Sequence, residues 1–145
     1  MRLIKFIILF LFLHSFAYAD KNMKIGSKGK ESEVSRVIKV LMYDNYYEPS
    51  SFQIKAGETI KFEVENAGML VHEFNIANKM MHMKHQPEML KMVENEILLA
   101  DSIDKKKMKK MAKMDKAMGH SHSNSVLLEP KQKGEIIWKF DNAVN

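Results

Sequence analysis

Two-residue alternation of apolar and polar side chains marks both ends of this chain, and a longer period marks its middle. The run "VSRVIKVLMY" at 34–43 is rich in β-forming residues and predicts an extended segment. "DNYYEPSS" follows, with Asp44, Asn45 and Pro49 supplying turn chemistry. Phe52 and Ile54, then Ile60, Phe62 and Val64, alternate with polar residues on either side of Ala56-Gly57-Glu58. That pattern predicts two short strands around a glycine turn, with one face buried. After a turn at 66–68, "LVHEFNIAN" predicts a fourth strand. It puts Val71, Glu73 and Asn75 on one face and His72, Phe74 and Ile76 on the other. "SVLLE", "PKQKG" and "EIIWKF" predict strand, turn and strand over 125–140.

From Lys79 to about Met118 the apolar spacing lengthens to three and four residues, which predicts helix. In "PEMLKMVENEILLADSI", Pro87 falls at an expected first helical turn. In "DKKKMKKMAKMDKAMG", Met108, Met111, Met114 and Met118 form one stripe, most lysines point elsewhere, and Gly119 is a natural C-cap. A helical insertion at about 79–119 therefore separates two blocks of short strands, and the blocks together suggest a β-sandwich.

The first residues change the picture of where the protein works. Arg2 and Lys5 precede an unbroken apolar run of eight residues, Phe6 to Leu13, and Ala17-Tyr18-Ala19 offers a cleavage site. This is the pattern of a secretory signal peptide over 1–19, and the run is too short to span a bilayer. Cleavage would leave 126 residues with 21 basic and 18 acidic side chains. That balance lacks the strong basic footprint of a nucleic-acid binder. Residues 20–33, "DKNMKIGSKGKESE", predict a flexible lead-in, with one domain from 34 to 145.

Composition is skewed in one respect. Of 13 Met, ten lie between Met69 and Met118; of six His, five lie between His72 and His122; there is no Cys. In "MMHMKH", Met81 and His85 are four apart and His82 and His85 three apart, so on a helix each pair can face one ion. On an extended segment Met81 and Met83 would share a side instead. Thioether and imidazole suit Cu(I), and imidazoles suit Cu(II). The plain alternative is that Met fills an irregular core while His is surface polarity. In "GHSHSN", His120 and His122 point the same way if extended and could complete a site with His72 or with the Met cluster; a solvated loop is the alternative. The 108–118 stripe is first an amphipathic helix packed on the body. A membrane-surface or partner contact through 105–118 and a Cu(I)-handling face are the other readings. Enzymatic motifs are missing: there is no Cys nucleophile, phosphate loop or recognisable triad, and His72-Glu73 lacks the second His of a zinc-protease helix.

The stretch "VLMYDNYYEPSSFQIKAGETIKFEVENAGMLVHEFNIAN" carries Pro49, Phe52, Gly57-Glu58-Thr59, Phe62, Asn66, Gly68 and His72-Glu73-Phe74. In that order and spacing it resembles the first half of a cupredoxin, nearest the periplasmic copper-tolerance branch with a His-Glu-Phe strand. "HSHSNSVLLEPKQKGEIIWKF", with its Leu128-x-Pro130 turn, Gly134, Glu135 and Trp138, resembles the later part. The likeness covers roughly 34–78 and 120–140. It implies a mainly β, Greek-key sandwich with copper near one end. Blue-copper members bind it with two His, a Cys thiolate and a weak axial Met. The first His corresponds to His72. The other three ligands come from a loop just past the strand that "IIWKF" resembles, and this sequence does not contain it. The resemblance therefore implies a sandwich incomplete at the C-terminus and unable to form a type 1 electron-transfer centre by itself.

The combined expectation is a periplasmic copper-binding protein of copper tolerance or buffering, not an enzyme. Met81, His82, Met83 and His85 are the primary donors, His120 and His122 auxiliary imidazoles, and His72 a remnant framework ligand. Cu(I) is favoured wherever thioethers dominate. The partners expected are the copper ion and a copper-handling protein, with no nucleic acid. The rival expectations are a non-metal interaction or membrane-surface module built on the Met/Lys helix, and a nonfunctional truncated relative.

Overall fold

The computed structural model describes residues 25–143, and the expected signal segment lies outside them. Five strands form one sheet in the order β1 (Gly26–Lys28), β7 (Lys133–Phe140), β4 (Thr59–Asn66), β2 (Arg36–Met42) and β3 (Tyr47–Glu48). A second sheet pairs β5 (His72–Asn75) with β6 (Ser125–Leu128). β2 runs parallel to β4, with Arg36 opposite Ile60 and Met42 opposite Asn66, whereas β4 and β7 are antiparallel. Parallel neighbours need a crossover, and residues 43–58 supply it.

Period-2 alternation explains the core. Ile38, Val40 and Met42 of β2, Ile60, Phe62 and Val64 of β4, and Ile136, Trp138 and Phe140 of β7 are all buried. Phe74, Ile76 and Leu128 meet them from the smaller sheet and its flank. Phe62 is fully enclosed, with ring centroids 5.4 Å from Phe52, 5.3 Å from Phe74 and 6.2 Å from Phe140. Burying one such ring contributes about 1.5–3 kcal/mol. Asn66, also fully buried, donates its amide to the carbonyls of Leu70 and Leu128, both at 2.8 Å, while its Oδ1 accepts the Gly68 N–H at 2.9 Å. Those bonds satisfy a buried polar group and fix the loop from which β5 starts.

Three expectations are corrected. The lead-in is not wholly flexible: Gly26–Lys28 pairs with β7, and Gly26 packs so closely that a Cβ would lie 2.0 Å from the Lys139 carbonyl oxygen. Phe52 and Ile54 face the core as their alternation implies, but residues 51–58 are a loop with a lone bridge residue at Ile54. Arg36 caps that loop by donating to the Gln53 carbonyl and to Glu58, Gly57 turns it at φ +78°, and its end meets β7 through the Gly57 N–H to the Phe140 carbonyl and the Phe140 N–H to the Glu58 carbonyl. The middle is not one helical run. Asn78 caps α1 (Lys79–Glu94) by accepting the Met81 N–H, and Pro87 lies inside this helix, not in its first turn. Glu96 at φ +50° ends the helical path, and Leu98 bridges to Ile103. Asp104 then caps the short α2 (Lys105–Met111), and Lys116–Gly119 forms a single 3₁₀ turn.

The methionine stripe is mostly core. Met92 and Met118 are buried with Ile97 and Ile103, and Met89, Met108 and Met111 pack against them; Met114 alone of the stripe is exposed. Met fills this irregular satellite core well, being flexible and polarisable.

Glu129, in the turn between β6 and β7, fastens this unit to the sandwich. It accepts the Ile103 N–H at 2.8 Å, pairs with the Lys105 ammonium and accepts from the Gln132 amide. The Lys105 hydrogen bond, helped by the Ile103 amide, holds its carboxyl below the usual value of 4.5. A depressed carboxyl contributes stability present above the unfolded value, about pH 4.5, and lost as pH falls through the lower folded one. Thermal midpoints measured across pH 2–6 are therefore expected to fall less steeply on the acid side in Glu129→Gln than in the parent. Parallel curves would show that Glu129 carries none of this dependence.

Candidate metal centre

Strand alternation aims Phe74 into the core, so its neighbour Glu73 faces the helical insertion. The Asn78 cap sets the phase of α1, which places His85 and Glu88 one turn apart on the side toward Glu73. The 3₁₀ turn ends at His120, whose left-handed backbone (φ 43°, ψ 50°) swings the chain back toward β5. Asn124 secures that return: its amide donates to Asn75 Oδ1 and the Ile76 carbonyl, and its own carbonyl accepts the Ile76 N–H.

These elements bring His85, His120 and His122 together. Their ring centroids are 5.2, 5.1 and 5.2 Å apart, and one ring nitrogen from each lies within 4.8 Å of one from each of the others. Among the described residues this is the group of three or more ligating side chains close enough to share an ion. Two carboxylates complete it. Glu73 Oε1 lies 3.1 Å from both His85 Nε2 and His120 Nε2. Glu88 Oε1 lies 2.8 Å from His122 Nε2, and its Oε2 lies 3.5 Å from His85 Nδ1. Burial alone would push the Glu73 carboxyl up, but the hydrogen bond from His120 and the charges of His120 and His85 outweigh it and hold the group below 4.5.

The remaining candidate donors scatter. Met81 lines a cleft of about 320 Å³ together with His85, Glu88, His122 and Asn124, so its thioether stands at the edge of the histidine group. His82 faces another cleft, beside Tyr47, Phe52 and Glu73, and its Nε2 meets the Gln86 side-chain amide at 3.4 Å. Met83 is 59% exposed. His72 is engaged elsewhere: its Nε2 lies 2.9 Å from Asp44 Oδ1, and Asp44 also accepts the Met69 and Leu70 N–H groups. Neither carboxylate is among the donors that the sequence suggests, and Glu73 enters there only through the His72-Glu73-Phe74 strand. Glu88 lies one turn after His85 and Glu73 on the strand face opposite Phe74, but a soft-donor pattern does not mark carboxylates.

Imidazole nitrogens flanked by carboxylates suit a divalent first-row ion such as copper. A thiolate-copper centre would need a Cys, and the chain has none.

A family model described as a Cupredoxin-like domain matches residues 5–101. The chain belongs to the cupredoxin-like family. Among curated relatives, the "Copper-resistant cuproprotein CopI" of Pseudomonas aeruginosa is 40% identical over 132 residues, covering 81% of this chain and 68% of that protein. The protein of the same name from Rubrivivax gelatinosus is 25% identical over 132 residues, covering 90% of this chain and 66% of its own length. The chain thus spans about two thirds of the length of both relatives. No solved structure matches it at a significant level. The cupredoxin resemblance, including its copper-tolerance branch, agrees with these matches, and the mainly β sandwich with a mixed sheet is the fold that this family implies. The family match ends at residue 101, before His120 and His122.

The histidine–carboxylate contacts of this cupredoxin-like chain have a consequence without metal. His120→Ala leaves the part-buried Glu73 carboxylate short of a donor, at a cost of about 1–3 kcal/mol. Urea denaturation in chelator should show that loss, and adding Glu73→Gln should recover part of it. Strictly additive single and double variants would show that the pair does not interact.

Proposed function

We propose that this protein binds copper in the periplasm at His85, His120 and His122 and serves copper tolerance by holding the ion, not by catalysis or type 1 electron transfer. The observation that carries this reading is the convergence of three imidazoles from α1 and the 120–122 return onto one another and onto two carboxylates. Relatives named as copper-resistant cuproproteins support copper as the ion, and imidazole is a donor that copper accepts readily. The ion here is cargo. The N-terminal pattern over 1–19 supports export. The absence of Cys from the chain argues against a blue centre made of its own residues.

Within the site the roles divide. His85, His120 and His122 are the ligands. Met81, at the cleft edge, is placed to offer a thioether to an incoming ion. His72, paired to Asp44, orders the 68–72 loop and makes no contact with the trio. His82 and Met83 are not part of the site. The rival reading, a membrane-surface helix, is weakened because Met108 and Met111 pack inward and leave α2 to present mainly lysines. An interfacial helix needs an apolar face free to enter the lipid.

Competition between the purified protein and a chromophoric copper chelator tests this reading. Alanine at His85, His120 or His122 is expected to weaken copper binding at least about tenfold, or 1.4 kcal/mol. Alanine at His72, His82 or Met83 is expected to leave it within about twofold. Trio variants that bind as tightly as the parent would sink the assignment.

A further inference from the structure

We infer that the outer face of α1 is a docking surface for a second copy of this chain. The two α1 helices pack antiparallel about a two-fold axis that passes between Gln86 and Pro87.

Exposed apolar side chains gather on this helix. Of the ten large ones exposed among the described residues, Met80, Met83, Leu90 and Val93 are on α1, each 43–59% accessible. Single exposed apolar residues are ordinary, but a contiguous row of them marks a contact surface. At 3.6 residues per turn, Met83 and Leu90 fall within about 20° of each other around the helix. His85 and Met92, which face the body of the protein, lie about 150–170° away from that line. The helix is therefore apolar on two opposite faces, and the inner one alone is covered. Lys79 and Glu94 lie about 30° to either side of the Met83–Leu90 line, and Met80 and Val93 about 70° to either side.

The spacing identifies the occupant. The midpoint between Met83 and Leu90 is also the midpoint between Met80 and Val93 and between Lys79 and Glu94. The row thus has the same spacing read in either direction, while its two ends carry opposite charges. A two-fold interface has this property, because residue i meets j and j meets i. Antiparallel pairing sets Met83 against Leu90 of the second copy along the seam, and Lys79 against its Glu94 at both ends. Lys79 and Glu94 are exposed, and neither has an ion pair among the described residues. Parallel pairing would instead bring like charges together at each end. Lys84 and Lys91 lie about 90–110° from the Met83–Leu90 line, so their charges stay outside the seam. Anionic lipid fits the row less well, because Glu94 would face the headgroups and a bilayer gains nothing from two-fold spacing.

A helix of 16 residues gives a seam about 24 Å long. One such seam falls short of the roughly 800 Å² per partner of a standard interface, so the association is weak and concentration-dependent. His85 and Glu88 lie on the opposite side of α1, so pairing leaves the histidine group uncovered and does not require copper.

Sedimentation equilibrium of the purified, metal-free chain over increasing concentration tests this. The weight-average mass should rise toward twice that of one chain, and Leu90→Glu should hold it at one. Lys79→Glu alone and Glu94→Lys alone should each weaken association about tenfold, since each loses two cross-pairs and gains two repulsions. An equimolar mixture of these two variants should recover association, because every cross-pair of the mixed dimer then joins opposite charges. Both substitutions suit the helix end they occupy, an acid in the first turn and a base in the last, so neither weakens α1 itself. A parent that stays monomeric, or single charge variants that associate as tightly as the parent, overturns the inference. So does a monomeric parent that binds phosphatidylglycerol–phosphatidylethanolamine vesicles and loses that binding in Leu90→Glu, which assigns the face to lipid.

Discussion

A single carboxylate ties the helical insertion to the sandwich at its most consequential point. Glu73 is part-buried on a strand only four residues long, and burial of a charge is unfavourable unless partners replace the lost water. Its partners come from two other elements, His85 on α1 and His120 after the 3₁₀ turn. Each partner therefore has its position set by the same carboxylate, and both meet its Oε1. Where the helix sits, and where the chain returns, cannot vary independently of β5. The three imidazoles converge because two of them share one acceptor.

That arrangement depends on β5 being rigid, and the core makes it so. Phe74, the residue after Glu73, packs on Phe62 at the centre of the aromatic group, so β5 cannot rotate without exposing a ring. Asn66 fixes the loop before β5 by bonding to Leu70 and to Leu128, the residue opposite His72 in the β5–β6 pairing. Tyr47 adds a third restraint by donating its hydroxyl to the Glu73 carbonyl at 2.7 Å. Such supporting contacts separate a preorganised site from a flexible histidine loop.

Much of this was legible in the sequence, and the remainder was not for physical reasons. Strands with one buried face announced themselves through alternation, as at 36–42, 59–66 and 133–140, because side-chain direction there follows directly from sequence position. The loop at 51–58 alternates equally well, yet Arg36 bonds the Gln53 carbonyl and Phe140 bonds Gly57 and Glu58, long-range contacts that local periodicity does not carry. The helix phase at Lys79 depends on the Asn78 cap and not on Pro87, which lies inside the helix. Within the site, His85, His120 and His122 were visible by residue type. Their grouping apart from His72 and His82 was not, because it depends on the left-handed residue at 120 and on Glu73 facing away from the core. Carboxylates are common enough in any sequence that only their contacts distinguish Glu73 and Glu88 from the other acids.

The excess of methionine, the strongest compositional signal in the chain, has more than one cause. Met92 and Met118 are buried, and Met89, Met108 and Met111 pack beside them, so these sulfurs are occupied in filling an irregular cavity between short helices. Met69, Met80, Met83 and Met114 are exposed to differing degrees. Of the sulfurs in the 80–85 cluster, Met81 alone lines the cleft that holds His85 and His122. A soft-donor interpretation of composition treats all of them as equivalent, but a thioether contributes to metal affinity only where its sulfur reaches the ion. The copper site proposed for this cupredoxin-like chain therefore rests on a few ring nitrogens held against carboxylates, while about half of the described methionines act through packing.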